Sequence, residues 1–193
     1  MNRRDVLKFA GGALTGSALL GGAGAALLLP ANATAPSVAP VPLPAREVRL
    51  LSFMNTHTGE TFADAYWENG AYVPDAMAAI NHVMRDHRTD EVHEIDPRLM
   101  DQLSDLRSIT EISAPYQIIS GYRSPRTNAM LHSNSNGVAS RSLHMDGRAI
   151  DIRVQGVPLT RLRDAALGMR AGGVGYYAAS DFIHIDTGRV RRW

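Results

Sequence analysis

Two short runs of this chain each place one ionisable residue between isoleucines: Ile150-Asp151-Ile152 and Ile183-His184-Ile185. Side chains alternate along an extended strand, so Ile150, Ile152 and Val154 share one face and Ala149, Asp151 and Arg153 the other. A carboxylate in such an apolar strand is costly to bury without a partner. The fold must therefore bring one to Asp151. His184, in the second run, and His144, in the loop Ser142–Gly147 ahead of Asp151, are the candidates. A metal ion shared by all three would join them. The sequence has no cysteine, which excludes disulfides, Cys-ligated zinc, an iron–sulfur cluster and a Cys nucleophile. Two His and one Asp suit a tetrahedral zinc with one position left open. Buried His–Asp pairs also occur as purely structural contacts, so the pattern alone leaves both readings open.

The remaining periodicity surrounds these strands with helices. Glu47–Phe53 and Thr61–Trp67 read as a hairpin across the turn residues Asn55–Gly59. Pro74-Asp75 opens a helix with Met77, Ile80, Val83 and Met84 on one face. Asp96 caps another, with Leu99, Leu103, Leu106 and Ile109 at helical spacing. Tyr116–Ser120 is a strand, Arg126–Leu131 a short helix, and Leu159–Arg170 a helix ended by Gly172-Gly173. Val174–Tyr177 and Phe182–Asp186 are the last strands. Helices early and short strands late predict an α+β fold with an antiparallel sheet.

The first 33 residues read as an address. Arg3-Arg4 precedes an apolar run, Phe9–Leu29, that holds six glycines and leads to Ala31-Asn32-Ala33. That is a charged region, an apolar region and a small-x-small cleavage site. Arg3-Arg4 followed by Val6-Leu7-Lys8 resembles the twin-arginine signal read by the Tat export machinery, which implies a periplasmic location. Left uncleaved, the run would act as a membrane tether. Residues 34–45, with Pro36, Pro40, Pro42 and Pro44, form an extended tether, and 46–193 form one domain. The full chain has a formal charge of +1. Removing 1–33 takes away +2 and the only lysine, Lys8, leaving about −1. No strongly basic nucleic-acid or membrane-surface binder has that balance, and neither a Schiff-base nor a P-loop lysine remains.

The motif Ser-x-His-x6-Asp at Ser142, His144 and Asp151, followed by Asp-x-x-His at Asp181 and His184, resembles the zinc signature of the D-Ala-D-Ala metallopeptidases, a superfamily that includes the Hedgehog amino-terminal domain. Other runs resemble its YcbK-like (MepK-like) branch of murein endopeptidases. These are Arg85-Asp86-His87-Arg88, Ile95-Asp96-Pro97-Arg98-Leu99, Ser120-Gly121-Tyr122-Arg123-Ser124-Pro125 and Gly172-Gly173-Val174-Gly175-Tyr176-Tyr177. The resemblance spans most of Leu50–Trp193. It implies a Hedgehog/DD-peptidase-like fold, zinc ligands His144, Asp151 and His184, a general base at Asp181, and Arg123 stabilising the developing oxyanion. It also implies a substrate: peptidoglycan stem peptides, cut at bonds involving D-Ala or meso-diaminopimelate.

Asp181 is three residues from His184. It can reach the same side of the sheet only if Ala178–Asp181 is a turn, which Ala179-Ser180-Asp181 favours. Asp186 shares the His184 face and is expected to support that histidine from behind. His57, His82, His87, His93 and His132 are expected to be ordinary, with His132 or Asp186 a fallback base. Two rivals stand beside the endopeptidase: a non-catalytic zinc fold that binds wall peptides, and a DD- or LD-carboxypeptidase. A pure binding module needs no base and oxyanion donor together, and the chain has a candidate for each.

Overall fold

The computed structural model describes residues 47–134 and 139–193. All lie in the unit Leu43–Trp193. The expected signal, 1–33, and tether, 34–45, lie outside the described residues. Among the described residues no helix is long and apolar enough to cross a membrane.

Eight strands form one sheet: β1 (Val48–Asn55), β2 (Thr61–Glu68), β3 (Ala71–Tyr72), β4 (Tyr116–Ser120), β5 (Ala149–Val154), β6 (Gly173–Tyr177), β7 (Phe182–Asp186) and β8 (Arg191–Arg192). Their order is β3-β2-β1-β4-β5-β7-β6-β8. The β1–β4 and β6–β8 pairs are parallel and the others antiparallel, so the expected antiparallel pairing holds through β4, β5, β7 and β6, and the sheet as a whole is mixed. Four helices accompany it: α1 (Pro74–Val83), α2 (Pro97–Thr110), α3 (Pro125–Asn134) and α4 (Leu159–Met169). The class is α+β.

One face of the sheet supplies the core. Tyr116, Ile118, Ile150, Ile152, Ile183 and Ile185 are buried on it, with Ile80, Leu99, Leu103, Leu106 and Leu162 from α1, α2 and α4. Each such side chain contributes about 1.5–3 kcal/mol by leaving water. Helix ends follow local chemistry. The Asp96 carboxylate accepts from the Arg98 amide at 3.0 Å, capping α2, and also from Thr187 Oγ1 at 2.8 Å, which ties that helix start to the chain leaving β7. Two expectations need correction. Ile109 is 59% exposed, because α2 turns its last apolar residue outward. The cap of α4 is Arg170 in the left-handed region (φ 52°), ahead of the Gly172-Gly173 pair. His87 lies in a turn beyond α1, where its ring stacks on His57 at 3.8 Å.

The opposite face of β5 and β7 carries Asp151, His184 and Asp186, one residue out of phase with the isoleucines.

Candidate metal centre

Strand pairing places the first two residues of the site. Asp151 of β5 is the register partner of His184 of β7, so their side chains stand side by side. The third arrives from a 3-10 turn, Leu143–Asp146, whose first amide groups are met by the Ser142 side chain (His144 N to Oγ, 3.4 Å). Gly147 ends that turn in the left-handed region (φ 64°), where a Cβ would run into the Glu94 carbonyl. Only glycine lets the chain turn there straight into β5. His144 thus hangs over the Asp151–His184 pair. The three residues are 1%, 3% and 7% exposed for His144, Asp151 and His184.

Their atoms converge. Asp151 Oδ1 lies 2.9 Å from His184 Nδ1 and 3.2 Å from His144 Nε2, and the two ring nitrogens are 3.2 Å apart. The outer nitrogens are engaged elsewhere. His144 Nδ1 donates to the Gly121 carbonyl at 2.7 Å, and His184 Nε2 donates to Asp186 Oδ2 at 2.9 Å. These outer bonds fix the tautomers, so both rings turn a lone pair towards a carboxylate oxygen. Three buried acceptors aimed at one point form a cation-binding set, and nitrogen with carboxylate ligands in that number fits zinc. Among the described residues this is the one group of three or more His, Asp or Glu positioned to hold a metal.

The electrostatics treat the two histidines differently. Burial would raise Asp151, but the charge and hydrogen bonds of His144 and His184 and the Arg123 guanidinium outweigh it, holding the carboxylate well below its ordinary range. Burial pushes His144 down, towards the neutral form a metal ligand needs. Burial also works against a charged His184, but the flanking carboxylates of Asp151 and Asp186 win and push it up. Asp186, fully buried, is held by two Arg191 bonds (2.7 and 3.0 Å) and by the amides of Gly173 and Gly188 (3.1 and 2.8 Å). It thus stands behind His184, on the ring nitrogen away from Asp151. Substituting Asp186→Asn should weaken zinc binding by about 10–100-fold, as for other hydrogen-bond partners behind a ligand histidine. A competition titration with a chromophoric chelator reads the change directly.

Arg123, in the loop after β4, donates to Ser120 Oγ at 2.7 Å and pairs with Asp151 Oδ2, the oxygen turned away from the histidines. Its Nη1 has no hydrogen bond among the described residues. The triad and Arg123 line an open cavity of about 480 Å³. One wall is aromatic: Tyr177 stacks on Phe182 at 4.6 Å, and Trp193 donates from Nε1 to the Tyr177 hydroxyl at 2.7 Å. Trp193 lies against Gly175, where a Cβ would come within 2.7 Å of the indole.

Asp181 stands apart from this cluster. It follows a 3-10 turn, Ala178–Ser180, as the sequence suggested, and adopts the left-handed region (φ 52°). Its carboxylate meets Arg153 at 3.2 Å, is 66% exposed, and is not part of the cavity wall. His132, on α3, does not line the cavity either. Sequence reasoning did not single out Arg141, Arg191 or the aromatic wall, which come together only through the β6–β8 pairing and the loop before the 3-10 turn.

The sequence matches a family profile described as Peptidoglycan L,D-endopeptidase MepK over residues 43–193. It is 43% identical over 192 residues to Peptidoglycan L,D-endopeptidase MepK of Escherichia coli (strain K12), covering all of this chain and 97% of that protein; the Shigella flexneri protein of the same name matches equally. A Haemophilus influenzae protein named Probable peptidoglycan L,D-endopeptidase MepK is 42% identical over 146 residues, 75% of this chain and 78% of the relative. With a buried His–Asp–His triad at the positions of the zinc signature, and similarity of this extent, the chain belongs to the peptidoglycan L,D-endopeptidase MepK family.

Proposed function

We propose that this chain is an exported zinc peptidase that hydrolyses L,D-peptide cross-links in peptidoglycan. The observation that carries the reading is the convergence of three ligand atoms, from His144, Asp151 and His184, in an open cavity that Arg123 also lines. The relatives' shared name supplies the substrate class.

His144, Asp151 and His184 would hold the zinc, which when bound supplies Lewis-acid polarisation of the scissile carbonyl and acidification of water. The reaction adds water across the amide: the carbonyl carbon gains oxygen, the C–N bond breaks, and an acid and an amine leave. Asp181 takes the proton that water gives up and passes it to the departing nitrogen. In this structure Asp181 pairs with Arg153 outside the cavity wall, so the role requires its side chain to turn towards the cavity. The Arg153 it pairs with shares the Asp151 face of β5, and same-face neighbours on a strand are about 7 Å apart. Turning from Arg153 to the cavity breaks a largely exposed ion pair, worth about 0–1 kcal/mol. Arg123, whose Nη1 is free of other bonds among the described residues, meets the carbonyl oxygen as it becomes anionic. The substrate lies outside the cytoplasm, and the Arg3-Arg4 leader is the route we assign to it, by twin-arginine export into the periplasm.

Cross-linked muropeptides incubated with the zinc-loaded protein test this reading. Cleavage should stop with a chelator and return with zinc, and Asp181→Ala should keep its zinc yet slow turnover by about 10²–10⁴-fold. Cleavage that persists without metal overturns the zinc reading. Binding without cleavage favours the wall-binding rival, and a fully active Asp181→Ala removes that residue from the chemistry.

A further inference from the structure

Three arginines line the cavity, and two of them are already neutralised. Arg123 pairs with Asp151. Arg191 gives two hydrogen bonds to Asp186 and lies over the Trp193 ring at 4.8 Å. Arg141 has no ion pair, hydrogen bond or ring contact among the described residues, and its side chain is exposed. Asp151 is the one acidic side chain in the wall. Arg141 is therefore the one lining arginine with no acidic side chain paired to it among the described residues.

The backbone that bears Arg141 is held on both sides. Ahead of it, Ser142 caps the turn that carries His144, three residues from Arg141. Behind it, the buried Asn128 donates from Nδ2 to the carbonyls of Ala139 and Ser140, at 3.1 and 3.3 Å. A planar guanidinium on a fixed strap, beside the proposed reaction centre and without an internal acid, is shaped to receive a carboxylate through two parallel hydrogen bonds.

We propose that Arg141 forms a carboxylate-binding subsite, so that the enzyme selects peptides whose departing amine bears a free carboxylate on the same carbon. The proposal rests on the peptidase reading above and narrows its substrate class. Diaminopimelate acylated through one amine keeps such a carboxylate next to the scissile nitrogen. An amidated residue at that position presents no charge.

Two synthetic peptides that differ only in that group, acid against carboxamide, test the subsite. Wild type should favour the acid by about 10–100-fold in kcat/KM, mostly through KM, as for a charge-assisted bidentate contact. The preference should shrink as salt is raised. Arg141→Gln should bring the ratio close to one at unchanged zinc content, and Arg141→Lys should restore part of it. Calorimetric binding of both peptides to the zinc-loaded proteins is measured in parallel. Equal rates in wild type, or a preference that survives Arg141→Gln, overturn the subsite and leave the peptidase reading standing. If neither peptide is cut while the acid still binds more tightly through Arg141, the peptidase reading fails and the subsite stands. Neither cleavage nor selective binding overturns both.

Discussion

Substituting His144→Ala or His184→Ala should strip zinc from the protein and abolish turnover while the domain stays folded. Each change leaves two ligands, a deficit more severe than the about 10–100-fold typical of a lost supporting residue. The fold should survive because the triad occupies the sheet face opposite the one on which Ile150, Ile152, Ile183 and Ile185 meet the helices. Asp151→Ala is a less clean variant. It would also leave the half-buried Arg123 guanidinium without its carboxylate partner, so a loss of zinc could not be assigned to the missing ligand alone. Elemental analysis beside circular dichroism separates the outcomes. Full zinc occupancy in both histidine variants, with native folding, would overturn the ligand assignment.

The second large effect is expected at Arg123. Arg123→Ala should lower kcat by about 10²–10³-fold, the range for removing one donor to a developing oxyanion. Zinc should stay bound, because Arg123 meets Asp151 through Oδ2 whereas the histidines meet Oδ1. Arg123→Lys should recover only part of the rate. An ammonium keeps the charge but cannot hold Ser120 Oγ and Asp151 through separate arms while offering a third. If the Arg123→Ala loss appears wholly in KM, the residue binds substrate without stabilising the transition state.

How much of this was legible in the sequence depended on how local the causes are. Tyr116–Ser120 and Phe182–Asp186 were readable to the residue, and α1 and α2 began where Pro74 and the Asp96 cap placed them, because alternation and capping act within a few residues. The two-residue strands β3 and β8 were not readable: a pair of residues has no period, and the parallel pairing of β8 with β6 depends on where distant chain arrives. The end of α4 misled for a related reason. Arg170 takes the left-handed cap that glycine usually provides, while Gly172 and Gly173 are needed where the chain passes the Asp186 carbonyl and carboxylate. Within the site, spacing put His144, Asp151 and His184 together and marked Asp186 as a supporter. It could not show that Asp181 faces Arg153, or that Trp193 folds back on Gly175 to build the cavity wall, since neither contact leaves a local trace.

The alternation on β5 and β7 also acts as a safeguard on assembly. Aliphatic residues and zinc-type ligands occupy interleaved positions on both strands. Sliding either strand by one residue would exchange the two sets, driving Asp151 or His184 among the helices and turning isoleucines out to water. Each misfit alone costs on the order of several kcal/mol, through an unpaired buried charge or lost apolar burial. The same side chains that bind a metal in the finished protein thus veto misaligned pairings while the sheet is forming, and the chain needs no separate register marker in this part of the sheet.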